Sequence, residues 1–129
     1  MIDRPTASAD RVVLVVDDEA DLLQIVSDRL VAAGYRVLTA RDGLEALACA
    51  RGVQPGCIIL DLKMPRLGGF EALPAIREAA PRARVIVLTG SPNRPLREEC
   101  RARGADGFML KPFDPGELLR LTAQAFRRD

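Results

Sequence analysis

The chain has 129 residues, 48% of them hydrophobic, with nineteen Lys and Arg against eighteen Asp and Glu, a formal charge of +1 and no His. That length fits one domain able to bury its own core, and the balance excludes a disordered tail or a fibre. The near-neutral charge gives no general steering toward nucleic acid or an anionic membrane, and without His there is neither an imidazole base nor a Cys/His zinc site.

Residues 1–10, "MIDRPTASAD", are polar and read as a flexible N-terminal segment, with one folded domain over 11–127. "VVLVV" at 12–16 is the first predicted strand. In "EADLLQIVSDRLVAAG", Leu23, Val26 and Leu30 recur at i, i+3 and i+7 before Gly34, which predicts a helix with a left-handed stop. "YRVLTA" at 35–40 alternates and reads as a strand nearer an edge, and "GLEALACARG" as a second helix running to Gly52. "CIILD" at 57–61 is a third strand. "FEALPAIREAA" is a third helix ending before Pro81, and its Pro74, tolerated best in a first turn, puts the start close to Phe70. "RVIVLT" at 84–89 is a fourth strand, and Pro92 and Pro95 confine the next helix to 95–103, with Gly104 as its stop. "GFML" at 107–110 is a fifth strand. In the last helix Asp114 caps, Pro115 suits the first position and Glu117 completes a capping box.

Three of the strands are nearly continuous Val, Ile and Leu, as expected where both faces are covered. Five strands alternating with five helices over short connections predict one doubly wound α/β unit with a parallel sheet. Cys49, Cys57 and Cys100 are odd in number, without metal-like spacing, and read as small hydrophobes in a reducing compartment. No apolar run approaches the roughly 20 residues that span a bilayer, and the start lacks the apolar core of a secretory signal. The expectation is a cytoplasmic chain with no membrane contact.

In an open parallel sheet the functional crevice lies beyond the carboxyl ends of the strands. Here the first strand delivers Asp17 and Asp18, the third Asp61, the fourth Thr89 and the fifth Lys111, one of only two lysines beside Lys63. Each alone has an ordinary explanation, such as a solvated helix start for the Asp pair or a good strand residue for Thr89. Their joint placement at four strand ends is what points to a site. Three carboxylates brought together repel, and a bound cation resolves the repulsion. Oxygen-only ligands suit Mg²⁺ or Mn²⁺, with Asp17 and Asp18 holding the ion directly or through water and the Lys63 carbonyl as a further ligand. The chemistry that fits is phosphoryl transfer, with Asp61 as nucleophile and Lys111 and Thr89 donating to phosphoryl oxygens.

"VVDDE" at 15–19, "ILDLKMPRLGGF" at 59–70, "VIVLTG" at 85–90 and "GFMLKPF" at 107–113 closely resemble, in order and spacing, the receiver domain of two-component response regulators. The resemblance covers about residues 11–126 and implies a (βα)5, flavodoxin-like sheet of strand order 2-1-3-4-5. It implies Asp61 as phospho-acceptor, Asp17 and Asp18 as Mg²⁺ ligands, Thr89 as switch hydroxyl, Phe108 as switch aromatic and Lys111 as the family's lysine. Pro112 would follow that lysine in the cis form. The implied phosphodonor is a sensor histidine kinase or histidine phosphotransfer protein. The surface of the fourth helix, fifth strand and fifth helix would carry the output to a downstream protein or a second copy. Lys63 and Ser91 would flank the path of the hydrolysing water. One departure is Gly68, where the family pattern usually has an Asp.

Two other readings accompany this one. The fold could serve as an interaction module that phosphate does not switch, and Gly68 lends that a little weight. Asp61 could instead be the nucleophile of a phosphohydrolase, but Lys63 stands where haloacid-dehalogenase-like enzymes want a second Asp. The Arg-rich "REECRARG" and "FRRD" read as solvated helix faces, with no direct nucleic-acid binding expected.

Overall fold

The three central apolar runs form strands covered on both sides, and their alternate residues divide between two cores. Strands β1 (Val12–Val16), β2 (Arg36–Ala40), β3 (Cys57–Asp61), β4 (Arg84–Thr89) and β5 (Gly107–Leu110) build one parallel sheet in the order β2-β1-β3-β4-β5. Every residue of β1 and β3 is buried, whereas β2, at an edge, buries only Ala40. The computed structural model describes residues 11–64, 66–90 and 93–127; the expected N-terminal segment, Ser91 and Pro92 lie outside them.

The helices are α1 (Ala20–Ala32), α2 (Gly43–Val53), α3 (Gly69–Ala79), α4 (Arg94–Arg103) and α5 (Pro115–Ala125). Leu14, Val16, Ile58, Leu60, Val85 and Val87 face one core, closed by Ala46 and Ala50 of α2, Leu73 and Ile76 of α3 and Cys100 of α4. Val13, Val15, Ile59, Ile86 and Leu88 face the other, closed by Leu23, Val26 and Leu30 of α1 and Leu118 and Ala125 of α5. The period of two along each strand thus sets two helices on one face and three on the other.

Local chemistry fixes the helix ends. Asp42, Asn93 and Asp114 cap α2, α4 and α5 by accepting from the N–H of Glu45, Leu96 and Glu117. The reciprocal bond expected from Glu117 is replaced by an ion pair with Arg120 at 3.6 Å. Gly104, at φ +118°, ends α4 in the left-handed region.

The third helix starts at Gly69, close to the expected Phe70, but that start does not bring Pro74 into the first turn. Pro74 is the sixth residue of α3 and cannot donate to the carbonyl of Phe70. Arg103 of α4 supplies the missing donor: its Nη1 lies 3.3 Å from the Phe70 oxygen, and its guanidinium stacks 3.9 Å from the Phe70 ring. The helix tolerates its proline through a side chain 33 positions from the freed carbonyl.

Candidate functional site

The sheet register brings the strand-end residues together. Val16 of β1 pairs with Leu60 of β3, so Asp17 and Asp61 follow side by side. Asp61 pairs with Leu88, which puts Thr89 one step further along β4, and Thr89 pairs with Leu110, leaving Lys111 next in line. Backbone bonds hold the exits, with the Asp17 N–H donating to Ala40 at 3.1 Å and the Lys111 N–H to Thr89 at 2.9 Å.

Asp18, Glu19, Asp61, Lys63, Thr89, Gly90 and Lys111 line an open crevice of about 570 Å³. Asp17, Asp61 and Thr89 are buried, and Asp18 is the more exposed of the acidic pair. One carboxylate oxygen from each of Asp17, Asp18 and Asp61 lies within 4.8 Å of the others, a spacing that a single cation can bridge. The Lys111 ammonium stands 3.3 Å from Asp61 Oδ1, 3.2 Å from Asp17 Oδ2 and 3.7 Å from Glu19 Oε1. Lys63, by contrast, is exposed at the rim.

Burial and the neighbouring Asp17 charge push the Asp61 carboxyl up to about 6, against the opposing pull of the Lys111 ammonium and the Lys63 backbone N–H. Burial alone would lower the Lys111 ammonium, but Asp61 and Asp17 outweigh it and raise the pKa above the ordinary lysine value. One ammonium among these carboxylates is therefore electrostatically insufficient. Asp17 Oδ2 shows this: it is buried and close to Lys111, yet no hydrogen bond is directed at it. An all-oxygen donor set, with a buried carboxylate oxygen whose ammonium partner is shared with two other acids, fits a hard divalent cation such as Mg²⁺.

All the side chains predicted for the site, Asp17, Asp18, Asp61, Thr89 and Lys111, gather at this end of the sheet, with the Lys63 backbone beside Asp61. Phe108 lies on β5, half-buried, with the guanidinium groups of Arg97 and Arg101 each 5.6 Å from its ring centre. The Lys111–Pro112 peptide bond is cis. Gly68 caps α3 through its backbone alone, and the Glu71 carboxylate occupies the space a side chain there would take, 2.6 Å from where a Cβ would sit.

Two contributors are not evident from the predicted strand ends. Glu19 donates its amide to Asp17 Oδ1 at 2.9 Å and brings its own carboxylate to Lys111. Gly69 starts α3 directly on the carbonyl of Asp61, where a Cβ would come within 2.0 Å of the oxygen. The "GG" of the sequence hints at such close approach, and only the fold shows which glycine needs it.

A sheet of this order, with an acidic crevice beyond the carboxyl ends of its central strands, defines a doubly wound α/β protein with its crevice at the switch point of strand order. The model of the response regulator receiver domain matches residues 13–123, and the chain belongs to that family, the receiver domains of two-component signal transduction. It is 39% identical over 116 residues to the probable transcriptional regulator ycf27 of Guillardia theta, covering 90% of this chain and 45% of that protein. The chain thus spans about half the length of the curated relatives it matches. Chemotaxis protein CheY4 of Vibrio cholerae superposes with a TM-score of 0.84 at 38% identity, covering 89% of this chain and 98% of that one. The CheX–CheY–beryllofluoride–Mg²⁺ complex of Borrelia burgdorferi gives a TM-score of 0.85 at 28% identity, covering 91% and 90%. No helix among the described residues is long and apolar enough to cross a membrane.

Proposed function

We propose that this chain is a phosphorylation switch in which Asp61 accepts a phosphoryl group from a histidine kinase or histidine phosphotransfer protein. The observation that carries the reading is Asp61 at the end of the central strand, within 4.8 Å of the Asp17 and Asp18 oxygens on one side and 3.3 Å from Lys111 on the other. One Asp61 oxygen attacks phosphorus in line; the O–P bond forms as the donor's N–P bond breaks, and the electron pair leaves with the imidazole nitrogen. Asp17, Asp18, Asp61 and the Lys63 carbonyl would hold Mg²⁺, and the ion would supply charge neutralisation for the phosphoryl oxygens. Lys111 and Thr89 donate to two of those oxygens. Asp61 needs no base to be activated, only deprotonation, which its value of about 6 grants at neutral pH.

Beside the crevice, sharing Glu19 and Lys111 with it, runs a mainly apolar groove lined by Leu22, Ile25, Pro112 and Phe113. It offers a donor protein a docking wall next to the reacting atoms, in the cytoplasm where such donors act. Once phosphorylated, Asp61 carries roughly two negative charges and draws Thr89 inward. Phe108 then moves, and the face of α4, β5 and α5 changes its packing for a downstream protein or a second copy. The chain is an acceptor that slowly loses its phosphate, not a turnover enzyme: Lys63 stands where an aspartyl phosphohydrolase would need its general acid. Incubation with Mg²⁺ and acetyl phosphate, followed by intact mass, tests the reading. One added phosphoryl group on the parent and none on Asp61→Asn is expected; equal labelling of both contradicts it.

A further inference from the structure

Outside the crevice, the loop between β3 and α3 is anchored in an unusual way. Arg66 sits there with φ +66°, a left-handed conformation that a long side chain adopts only when something holds it. Its Nη2 bonds Oδ2 of Asp42, whose carboxylate is almost wholly buried and whose other oxygen caps α2. Glu45 adds a second acid 3.8 Å from the same nitrogen. The next residue reinforces the attachment, since the Gly43 N–H donates to the Leu67 carbonyl at 2.7 Å. At its base the loop closes on itself through Gly69 N–H to the Leu62 carbonyl at 3.0 Å. Between base and apex lies Lys63, on the rim of the crevice, whose backbone N–H helps to hold the Asp61 carboxyl down.

We propose that Arg66 is a positioning residue for the phosphorylation site: through Asp42 it braces the β3–α3 loop against α2 and keeps the Lys63 backbone set toward Asp61 and its cation. The inference rests on the function proposed above but adds to it a residue that touches neither phosphate nor metal. A buried carboxylate demands a partner, and Arg66 is the cation it has. The loop conformation is therefore tied to an ion pair between residues that do not line the crevice.

The test uses the full chain and the variants Arg66→Gly, Arg66→Lys and Asp42→Asn. Gly accepts the left-handed backbone while removing the brace, and Asn keeps the cap on Glu45 while removing the charge. Hydrogen exchange of the Lys63 amide, read by NMR without metal, and Mg²⁺ affinity, read by calorimetry, are compared with the denaturation midpoint. Faster Lys63 exchange and roughly tenfold weaker Mg²⁺ binding are expected for Arg66→Gly and Asp42→Asn, with partial retention in Arg66→Lys. A lower midpoint with parent-like exchange and affinity would mean a merely structural pair and overturn the proposal. Should Arg66→Gly not fold, Asp42→Asn and Arg66→Lys decide by the same readouts. If the parent binds no Mg²⁺, the reading of the site fails, and the metal-free exchange comparison still decides whether Arg66 braces Lys63.

Discussion

Lys111 Nζ stands 3.3 Å from Oδ1 of Asp61, close enough to stabilise the carboxylate it is meant to help react. The two effects separate on substitution. Lys111→Gln removes a charge that lowers the Asp61 pKa, so Asp61 in metal-free protein should titrate above the parent's value of about 6, followed by carboxyl carbon shifts. The variant should bind Mg²⁺ at least as well as the parent, because a competing cation has gone, yet accept phosphate from acetyl phosphate at least about tenfold more slowly.

Asp61 also gives a pH dependence with a defined sign. Its folded value of about 6 lies above the ordinary 3.8, so the native state holds the proton more tightly. Its contribution is fully present below about pH 4 and is lost as pH rises through about 6. In chelator, the parent should lose about 2 kcal/mol relative to Asp61→Asn across that window, measured by urea denaturation at stepped pH. A parallel course for the two proteins would contradict the raised value. Mg²⁺ should restore the parent at neutral pH and leave Asp61→Asn less affected.

Gly69 admits no side chain, since a Cβ would lie 2.0 Å from the Asp61 carbonyl oxygen. Backbone cannot move aside as a flexible side chain does. Gly69→Ala should cost about 3 kcal/mol and displace Asp61, seen as a lower denaturation midpoint together with weakened Mg²⁺ binding.

Arg103 and Pro74 should show coupled energetics. Arg103→Ala leaves the Phe70 carbonyl without its donor and should cost about 1–2 kcal/mol. On a Pro74→Ala background the restored N–H can take over that carbonyl, and the cost should shrink. A double-mutant cycle by urea denaturation measures the difference; strict additivity would mean that the Arg103 bond does not substitute for the missing one.

Much of this was legible in the chain itself. Runs such as "VVLVV" and "CIILD" announce strands covered on both faces, and reading each to its end finds Asp17, Asp18, Asp61, Thr89 and Lys111, because parallel strands all deliver their final residues to one edge. Strand order is different: periodicity does not encode which strand neighbours which, and the order came with the family resemblance. The contributors that escaped are those whose meaning is a long-range contact. Pro74 looks confined to a first turn until Arg103 arrives from another helix. Arg66 looks like a solvated loop cation until Asp42, 24 positions earlier, proves to be buried beneath it. Glu19 reads as a helix start, and its reach to Lys111 depends on where β5 ends.

Everything in the site depends on Asp17, Asp18 and Asp61 sharing one hard cation beside Lys111. Crystals grown with Mn²⁺ and measured at its absorption edge test it most directly. A single anomalous peak is expected between the three carboxylates, within bonding distance of the Lys63 carbonyl and absent from Asp61→Asn. A peak elsewhere, or Asp17 and Asp18 turned away from Asp61 with no ion between them, would contradict it.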